Sequence, residues 1–360
     1  MKNKLLALTA LSLFAGATFA QNVTVYGVLD TGIMTQSKNA ASATTRTNDG
    51  SKTAMLSGGI HPSIWGLTGT EDLGGGLKAN FNLQSHITVP TGDSNVASQG
   101  IFTRSANVGL AGSFGSLTLG RVYDPAFLSF GLTDPAGFRE SFSGSSAIQA
   151  ATNASRVDLG GSTYRFDRAG VFNSNAVVYS YAANGLGFNA MYSFGGVAGD
   201  TSANEVMSLS MTYKGPILFS ATYGTAKNAS GQKTGNVYST GVGYPMGDLT
   251  LKANYMNGKA DDNSHENQTW TVGGDYKVSA NGLIRAAYFR SEDKKISNSE
   301  SDNFVLGYEH SLSKRTTLYA QTAYTKRGST TTANNSLDLV GGTPVGTSST
   351  VLNTGIKHAF

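Results

Sequence analysis

The chain has 360 residues, no cysteine and a formal net charge of +4, to which Lys2 and Lys4 contribute two, leaving +2 on the rest. A near-neutral balance argues against nucleic-acid binding, and a chain without cysteine uses no disulfide. Hydrophobic residues make up only 39% of the sequence, and after residue 20 no stretch approaches the roughly 20 apolar residues of a membrane helix.

Residues 1–20 have the parts of an export signal. A basic "MKNK" precedes the apolar run "LLALTALSLFAG", and "ATFA" ends on small residues. The apolar run is too short to serve as a membrane anchor. We therefore predict cleavage after Ala20 and export of residues 21–360 as one domain. An exported chain of this size without cysteine is typical of a bacterial envelope.

Period-2 alternation recurs along the rest of the chain, and helical periodicity is nearly absent. Examples are "VTVYGVLDTGIM", "LKANFNLQSHIT", "LTLKANYM" and "DNFVLGYEHSL". Each run is about ten residues long, the length of a tilted strand that crosses a bilayer. The pattern predicts an all-β protein.

Short and long connections alternate along the chain. Seven short ones carry turn residues: 71–76, 112–116, 184–187, 214–216, 245–248, 279–282 and 313–315. Eight long ones are polar: 36–58, 90–100, 124–172, 197–204, 228–234, 259–265, 293–301 and 328–347. Fifteen connections join sixteen strands, so both termini and all short turns lie at one end of the sheet.

This layout is that of a bacterial outer-membrane barrel, because lipid requires a closed sheet with apolar side chains outside and polar ones inside. A water-soluble sandwich has no reason to alternate its loop lengths. We predict a 16-stranded antiparallel transmembrane β-barrel in which the last strand pairs with the first. Phe360 would then end the closing strand in an aromatic girdle at the membrane interface. Further girdle candidates are Tyr26, Tyr192, Phe219 and Tyr319.

Several segments resemble the general Gram-negative outer-membrane porins, most of all the betaproteobacterial group. The specific ones are "EDLGGGLKA" and "VGLAGSFGSLTLGR", preceded by "VTVYGVLDTGI" and followed by the terminal Phe360. They occur in family order, and the resemblance covers essentially the whole mature chain. It implies a homotrimer of barrels with the third loop folded into the lumen. It also implies that the barrel-assembly machinery reads Phe360 and that lipopolysaccharide surrounds the outer rim.

The third loop, residues 122–172, is by far the longest connection. Its stretch "YDPAFLSFGLTDPAGFRE" mixes phenylalanines with charged residues. Apolar side chains are poorly placed on a loop that hangs in water. Folding inward against the barrel wall would shelter them and narrow the pore.

The resemblance implies arginines on the wall opposite acidic residues of the third loop, which together form the pore constriction. Matched residue by residue, Arg104 and Arg121 correspond to basic positions and Asp134 to an acidic one. Weaker acidic candidates are Asp124 and Glu140. Arg165 and Arg168 are nearby basic residues, which we expect to compensate for the arginine that related porins commonly carry where Phe172 stands.

Three positions depart from the family pattern. Ile64 and Phe172 stand where related porins commonly carry arginine, and Thr68 where a basic residue is frequent. We therefore expect a less basic constriction, with a weak anion preference or almost none. Simple alternation places Arg104 outward, where a charge would cost about 2–4 kcal/mol in lipid. That cost favours an inward position, but a rim or interface position for Arg104 or Arg121 stays open.

No enzymatic constellation stands out, and the sequence predicts no cofactor. The histidines have no metal-binding spacing, and no nucleophile elbow is present. The predicted function is therefore passive diffusion of small hydrophilic solutes and ions through an outer-membrane pore. The main alternative is a solute-specific porin with a saturable binding track. An adhesin-like barrel built on the long loops and a barrel enzyme are more distant alternatives.

Overall fold

The computed structural model describes residues 23–40, 47–94, 100–144, 171–330, 338 and 342–360. The predicted export signal, residues 1–20, lies outside the described residues. Among the described residues, no helix has both the length and the apolar character needed to cross a membrane. Most of the described chain is β-strand, as the alternation predicts.

Seventeen strand segments form one antiparallel sheet. The first nine are β1 (Thr24–Gln36), β2 (Lys52–Ser57), β3 (Ile64–Gly74), β4 (Leu77–His86), β5 (Ser105–Gly112), β6 (Gly115–Tyr123), β7 (Phe172–Ala183), β8 (Leu186–Ser193) and β9 (Val206–Lys214). The others are β10 (Leu218–Lys227), β11 (Lys233–Met246), β12 (Leu249–Ala260), β13 (Glu266–Lys277), β14 (Gly282–Asp293), β15 (Ser301–Ser311), β16 (Thr316–Arg327) and β17 (Ser348–Ala359). A short helix α1 (Pro125–Phe130) and a 3-10 turn (Glu140–Phe142) lie in the third loop.

The segments β2 and β3 occupy a single position in the barrel, which therefore has sixteen strands as predicted. Strand β1 pairs with β3 over Thr24–Val28 and with β2 over Thr31–Gln36. The intervening segment, residues 58–63, breaks the strand. Asp30, with no exposed surface, holds this segment by accepting hydrogen bonds from the backbone N–H groups of Gly59, Ile60 and His61 at 2.8–3.1 Å.

Strand β17 closes the barrel against β1, in register from Val28↔Ala359 to Gln36↔Val351. Beyond the strand, Phe360 and Gly27 exchange two backbone hydrogen bonds of 3.0 and 3.2 Å. The ring of Phe360 is half exposed, and a Cβ at Gly27 would overlap it. The terminal aromatic residue is therefore seated over a glycine at the closing seam.

The burial pattern is the reverse of a soluble protein. Exposed side chains on the strands are large and apolar, such as Val108, Leu251 and Trp270, at 58%, 48% and 57% exposure. Polar side chains such as Ser220 and Asn303 are fully buried on the inner face. This arrangement is stable when lipid surrounds the wall and the interior is polar.

Two of the four girdle candidates beyond Phe360 were predicted wrongly. Tyr26 turns inward and donates to Asn82 at 2.6 Å, and Tyr319 is buried and donates to Asp30 at 2.6 Å. Their hydroxyl groups find polar partners inside the barrel. Tyr192 and Phe219 share the outward parity of their strands and lie near strand ends.

Candidate pore constriction

The described part of the third loop enters the barrel and follows its inner wall. Asp124 caps α1 by accepting a hydrogen bond from the backbone N–H of Ala126 at 2.9 Å. Proline at the first helical turn suits this start, since its missing N–H needs no partner there. The helix packs against β9 and β10. The sequence therefore starts the helix at the point where the chain leaves β6 for the lumen.

Hydrogen bonds between hydroxyl and amide side chains attach the loop to this wall. Ser129 donates to Ser210 at 2.8 Å. Thr133 contacts Ser220 at 2.6 Å and donates to Asn254 at 2.7 Å. These three contacts place the first half of the loop across β9, β10 and β12.

The phenylalanines of the loop are sheltered by this arrangement, as predicted. Phe130 is fully buried and Phe127 is nearly so. The Phe127 ring centroid lies 4.6 Å from that of Phe138 and 6.5 Å from that of Tyr123 on the wall. An apolar cluster thus joins the loop to the wall within a mostly polar interior.

A chain of ion pairs attaches the far part of the loop to the next part of the wall, strands β12–β15. Arg139, which is 2% exposed, donates to Glu309 at 2.6 Å, and Glu309 also pairs with Arg285 at 3.2 Å. Arg285 pairs with Asp275 at 2.8 Å, and Asp275 pairs with Lys252 at 2.9 Å. The guanidinium of Arg139 lies where a Cβ on Gly307 of β15 would be, so only glycine leaves it room. These charges run across β12–β15.

Arg104 lies just before β5 and turns into the lumen. Its Nε donates to the hydroxyl of Tyr123 at 2.8 Å and to Gln84 at 3.3 Å, and its Nη1 lies 2.8 Å from Nδ1 of His86. Its Cζ lies 5.0 Å from the ring centroid of Phe172. The alternation of β5 begins only at Ser105, which is why the parity argument for an outward position does not apply.

Glu140 and Arg104 line one cavity of about 220 Å³ between the third loop and the wall. The segment 58–63 reaches the same cavity through His61 and Pro62. Thus, of the predicted constriction residues, the structure brings Arg104 and Glu140 together, one from the wall and one from the loop.

Arg121 is held in the wall and does not line this cavity. Its Nε donates to the backbone carbonyl of Thr103, and its Nη1 donates to the hydroxyl of Ser174, both at 2.7 Å. It shares the parity of Leu117 and Leu119, which are exposed on the outer face. Arg121 therefore joins the second loop to β7. This fits the rim or interface position that the sequence left open better than a position in the pore.

Asp124 and Asp134 are buried, so neither carboxylate is exposed to the water-filled lumen. Besides capping α1, Asp124 accepts from Asn173 at 3.0 Å and from Ser208 at 2.6 Å. Asp134 accepts from the backbone N–H groups of Phe138 at 2.6 Å and Gly144 at 3.1 Å, and has no exposed surface. Burial raises the pKa of Asp134 to about 6. Both residues shape the loop instead of presenting charge, in contrast to the expectation from the resemblance.

The remaining candidates, Arg165 and Arg168, lie outside the described residues. Sequence reasoning did not single out the ion-pair chain of Arg139, Glu309, Arg285, Asp275 and Lys252 as part of the site. The alternation could have indicated the four wall residues of this chain, because each of them has the inward parity of its strand. Within the described residues, no cluster of acidic, histidine or cysteine side chains is arranged to hold a metal ion.

A closed antiparallel barrel with an apolar exterior, a charged interior and a loop folded into it defines a membrane channel. The protein-family model for the Gram-negative porins matches residues 7–330. The chain is 30% identical to outer membrane porin protein 32 of Delftia acidovorans over 391 aligned positions, covering 100% of both chains. An outer membrane porin protein of Bordetella pertussis is 29% identical, with coverage of 91% of this chain and 94% of its own.

Solved structures agree. The fold is similar to that of an anion-selective porin from Comamonas acidovorans, with a TM-score of 0.79, 27% identity, and coverage of 94% of this chain and 100% of the other. The outer membrane protein OmpT of Vibrio cholerae has a TM-score of 0.67 at 16% identity, covering 96% and 99%, which concerns the fold alone. The chain belongs to the Gram-negative porin family, and it is a channel protein of the outer membrane.

Proposed function

We propose that the channel conducts small hydrophilic solutes and ions passively, with a weak preference for anions and no catalytic role. The observation that supports this selectivity is the balance of positive and negative side chains near the third loop. The described cations there are Arg104, Arg139, Lys252, Arg285 and Lys357. The described anions are Glu140, Asp275 and Glu309, together with Asp124 and Asp134, which are buried in the loop itself. Counted without these two buried aspartates, the cations exceed the anions by two, and the aspartates reduce that excess. Because most of these charges are paired, the net field is modest. The predicted contribution of Arg165 and Arg168 would add to the same sign.

Reversal potentials in a planar bilayer with a KCl gradient test this selectivity. We expect a small potential of the sign given by chloride permeation. The variant Arg104→Gln removes one lumenal cation and should move the potential toward zero or cation preference. Arg290→Gln is the matched control, because Arg290 lies on the outward face of β14 and pairs with Asp302. A clear cation preference of the unmodified protein contradicts the proposal.

The homotrimer belongs to the same proposal, with its interface on β17 and β1–β6. Its support is the distribution of exposed aromatic side chains. Among the described residues, exposed tyrosine and tryptophan side chains on the strands occur from Tyr179 on β7 to Tyr324 on β16, and none on β17 or β1–β6. Tyrosine and tryptophan are enriched at membrane interfaces, so their absence fits a wall that faces other subunits. Native mass spectrometry of the detergent-extracted protein tests this assembly; a monomer contradicts it.

Export and assembly complete the proposal. Residues 1–20 direct export, and the barrel-assembly machinery recognises the closing strand that ends in Phe360. Lipopolysaccharide surrounds the outer rim. The exposed position of Phe360 on the outer face supports its being reached from outside the barrel. Deleting Phe360 should reduce the amount of folded barrel in the outer membrane; an unchanged amount contradicts this role.

A further inference from the structure

Within the described residues, the guanidinium of Arg104 has no carboxylate partner. The side chain is only 5% exposed, and it makes no ion pair with any residue that the structure describes. Its described hydrogen bonds use Nε and Nη1, so Nη2 has no partner in the described chain. A buried charge is normally paired with an opposite one. The cavity that Arg104 lines is therefore suited to an anion.

The rest of the cavity is largely apolar. Leu128 on α1 is 52% exposed although it lies inside the barrel, and Phe138 and Tyr123 are half-buried. The ring centroids of Tyr123 and Phe172 are 4.7 Å apart. Phe138 and Tyr123 also belong to the cluster that joins the loop to the wall, but Leu128 remains exposed beside them. It offers a surface on which a flat apolar group can lie.

The size of the cavity limits the ligand to one ring. Its volume is about 220 Å³. A protein cavity of about 150 Å³ holds one benzene molecule, so a single aromatic ring with a carboxylate fits, whereas two fused rings with substituents do not. Glu140 lines the same cavity, and its negative charge disfavours a second carboxylate on the ligand.

We infer that this cavity is a saturable binding site for aromatic monocarboxylates of the benzoate class. The ligand's carboxylate lies against Nη2 of Arg104, the guanidinium nitrogen without a described partner, and its ring packs on Leu128 and Phe138. The inference rests on the proposed function, since the ligand reaches the site through the open channel. It goes further by assigning a solute class that a weak anion preference alone does not distinguish from other anions.

Benzoate block of the KCl current through single channels in planar bilayers is the direct test. We expect benzoate to reduce the conductance along a saturating curve. Acetate has the charge without the ring, benzyl alcohol has the ring without the charge, and phthalate carries a second carboxylate. None of these three should block at concentrations where benzoate does. Equal effects of benzoate and acetate would overturn the inference.

Two variants locate the site. Arg104→Gln removes the charge-assisted hydrogen bond, and Leu128→Ala removes part of the ring contact while replacing a side chain that is already half exposed. We expect the half-blocking benzoate concentration to rise about tenfold or more for the first and about threefold for the second. The controls are Arg290→Gln on the outer face and Leu132→Ala, which lines the neighbouring lumenal space.

The outcomes separate the inference from the function on which it rests. A protein that forms no conducting channels contradicts the proposed function. Normal channels without saturable benzoate block contradict only the binding site. Saturable block that both Arg104→Gln and Leu128→Ala leave unchanged places the binding elsewhere and also overturns the inference.

Discussion

The link between Arg139 of the third loop and the wall depends on Glu309 of β15, so Glu309→Gln is the most informative single change. The carboxylate bridges Arg139 and Arg285 and is 16% exposed. Removing one partner of a buried ion pair typically costs about 3–5 kcal/mol, because the remaining charge stays buried and uncompensated. Here Arg139 loses its carboxylate partner, whereas Arg285 keeps Asp275 at 2.8 Å.

This cost is comparable to the contribution of the hydrogen bonds that attach the first half of the loop. The hydrogen bonds of Ser129 and Thr133 to the wall contribute about 1 kcal/mol each. The sixteen-stranded ladder does not depend on Glu309. We therefore expect the barrel to fold normally while the loop leaves the wall for a measurable fraction of the time.

Single-channel recording tests this expectation. Glu309→Gln should show larger or fluctuating conductance, with open-channel noise well above that of the unmodified protein. Glu292→Gln is the matched control, because it removes the same charge from an exposed pair with Lys294, worth about 0–1 kcal/mol. Unchanged conductance and noise in Glu309→Gln would refute the idea that this ion pair holds the loop.

Three further changes probe separate features. Gly27→Val should displace the Phe360 ring from the closing seam and lower the temperature at which the barrel unfolds in a gel-shift assay, and an unchanged temperature would count against the seam. Because burial raises the pKa of Asp134 to about 6, its contribution to loop stability is full below about pH 4 and is lost as pH rises through 6. Open-channel noise should therefore increase from pH 5 to pH 7, and Asp134→Asn should abolish that increase; persistence of the increase would assign it to another group. Ile64→Arg should shift the reversal potential toward anion preference, whereas no shift would mean that position 64 does not line the passage.

The fold was predictable from sequence because one physical rule operates along every strand. Lipid outside and a polar lumen inside impose a period of two, so Leu251 and Lys252 or Tyr308 and Glu309 separate to opposite faces as the pattern predicts. The alternation of short turns and long loops then determines the strand number. No other element had to be known to reach a sixteen-stranded barrel.

The irregular parts were not predictable from alternation. The break between β2 and β3 depends on Asp30, which accepts three backbone hydrogen bonds that no sequence period encodes. Arg104 turns inward because the strand begins one residue later. Tyr319 was a girdle candidate because it is aromatic and near a strand end, but it faces inward and its hydroxyl donates to Asp30 on β1, past the intervening strand β17.

The candidate site was only partly predictable, because it too depends on contacts that alternation does not encode. A resemblance to a family matches residues to positions in the sequence, but it does not show whether each side chain is buried. Asp134 matches an acidic position yet forms hydrogen bonds within its own loop. Arg139 was visible in the sequence, but its partner lies 170 residues away on β15. Such long-range pairs follow from the path of the loop, which the sequence pattern does not specify.

Accessibility to water on the two faces of one strand tests the central claim most directly. The chain has no cysteine, so single substitutions can be labelled without background. Thr212 lines the lumenal space, and its neighbour Met211 is 44% exposed on the outer face. In a bilayer, a charged thiol reagent should label Thr212→Cys and reduce its conductance, while Met211→Cys stays unlabelled. Labelling at 211 with protection at 212 would contradict the account.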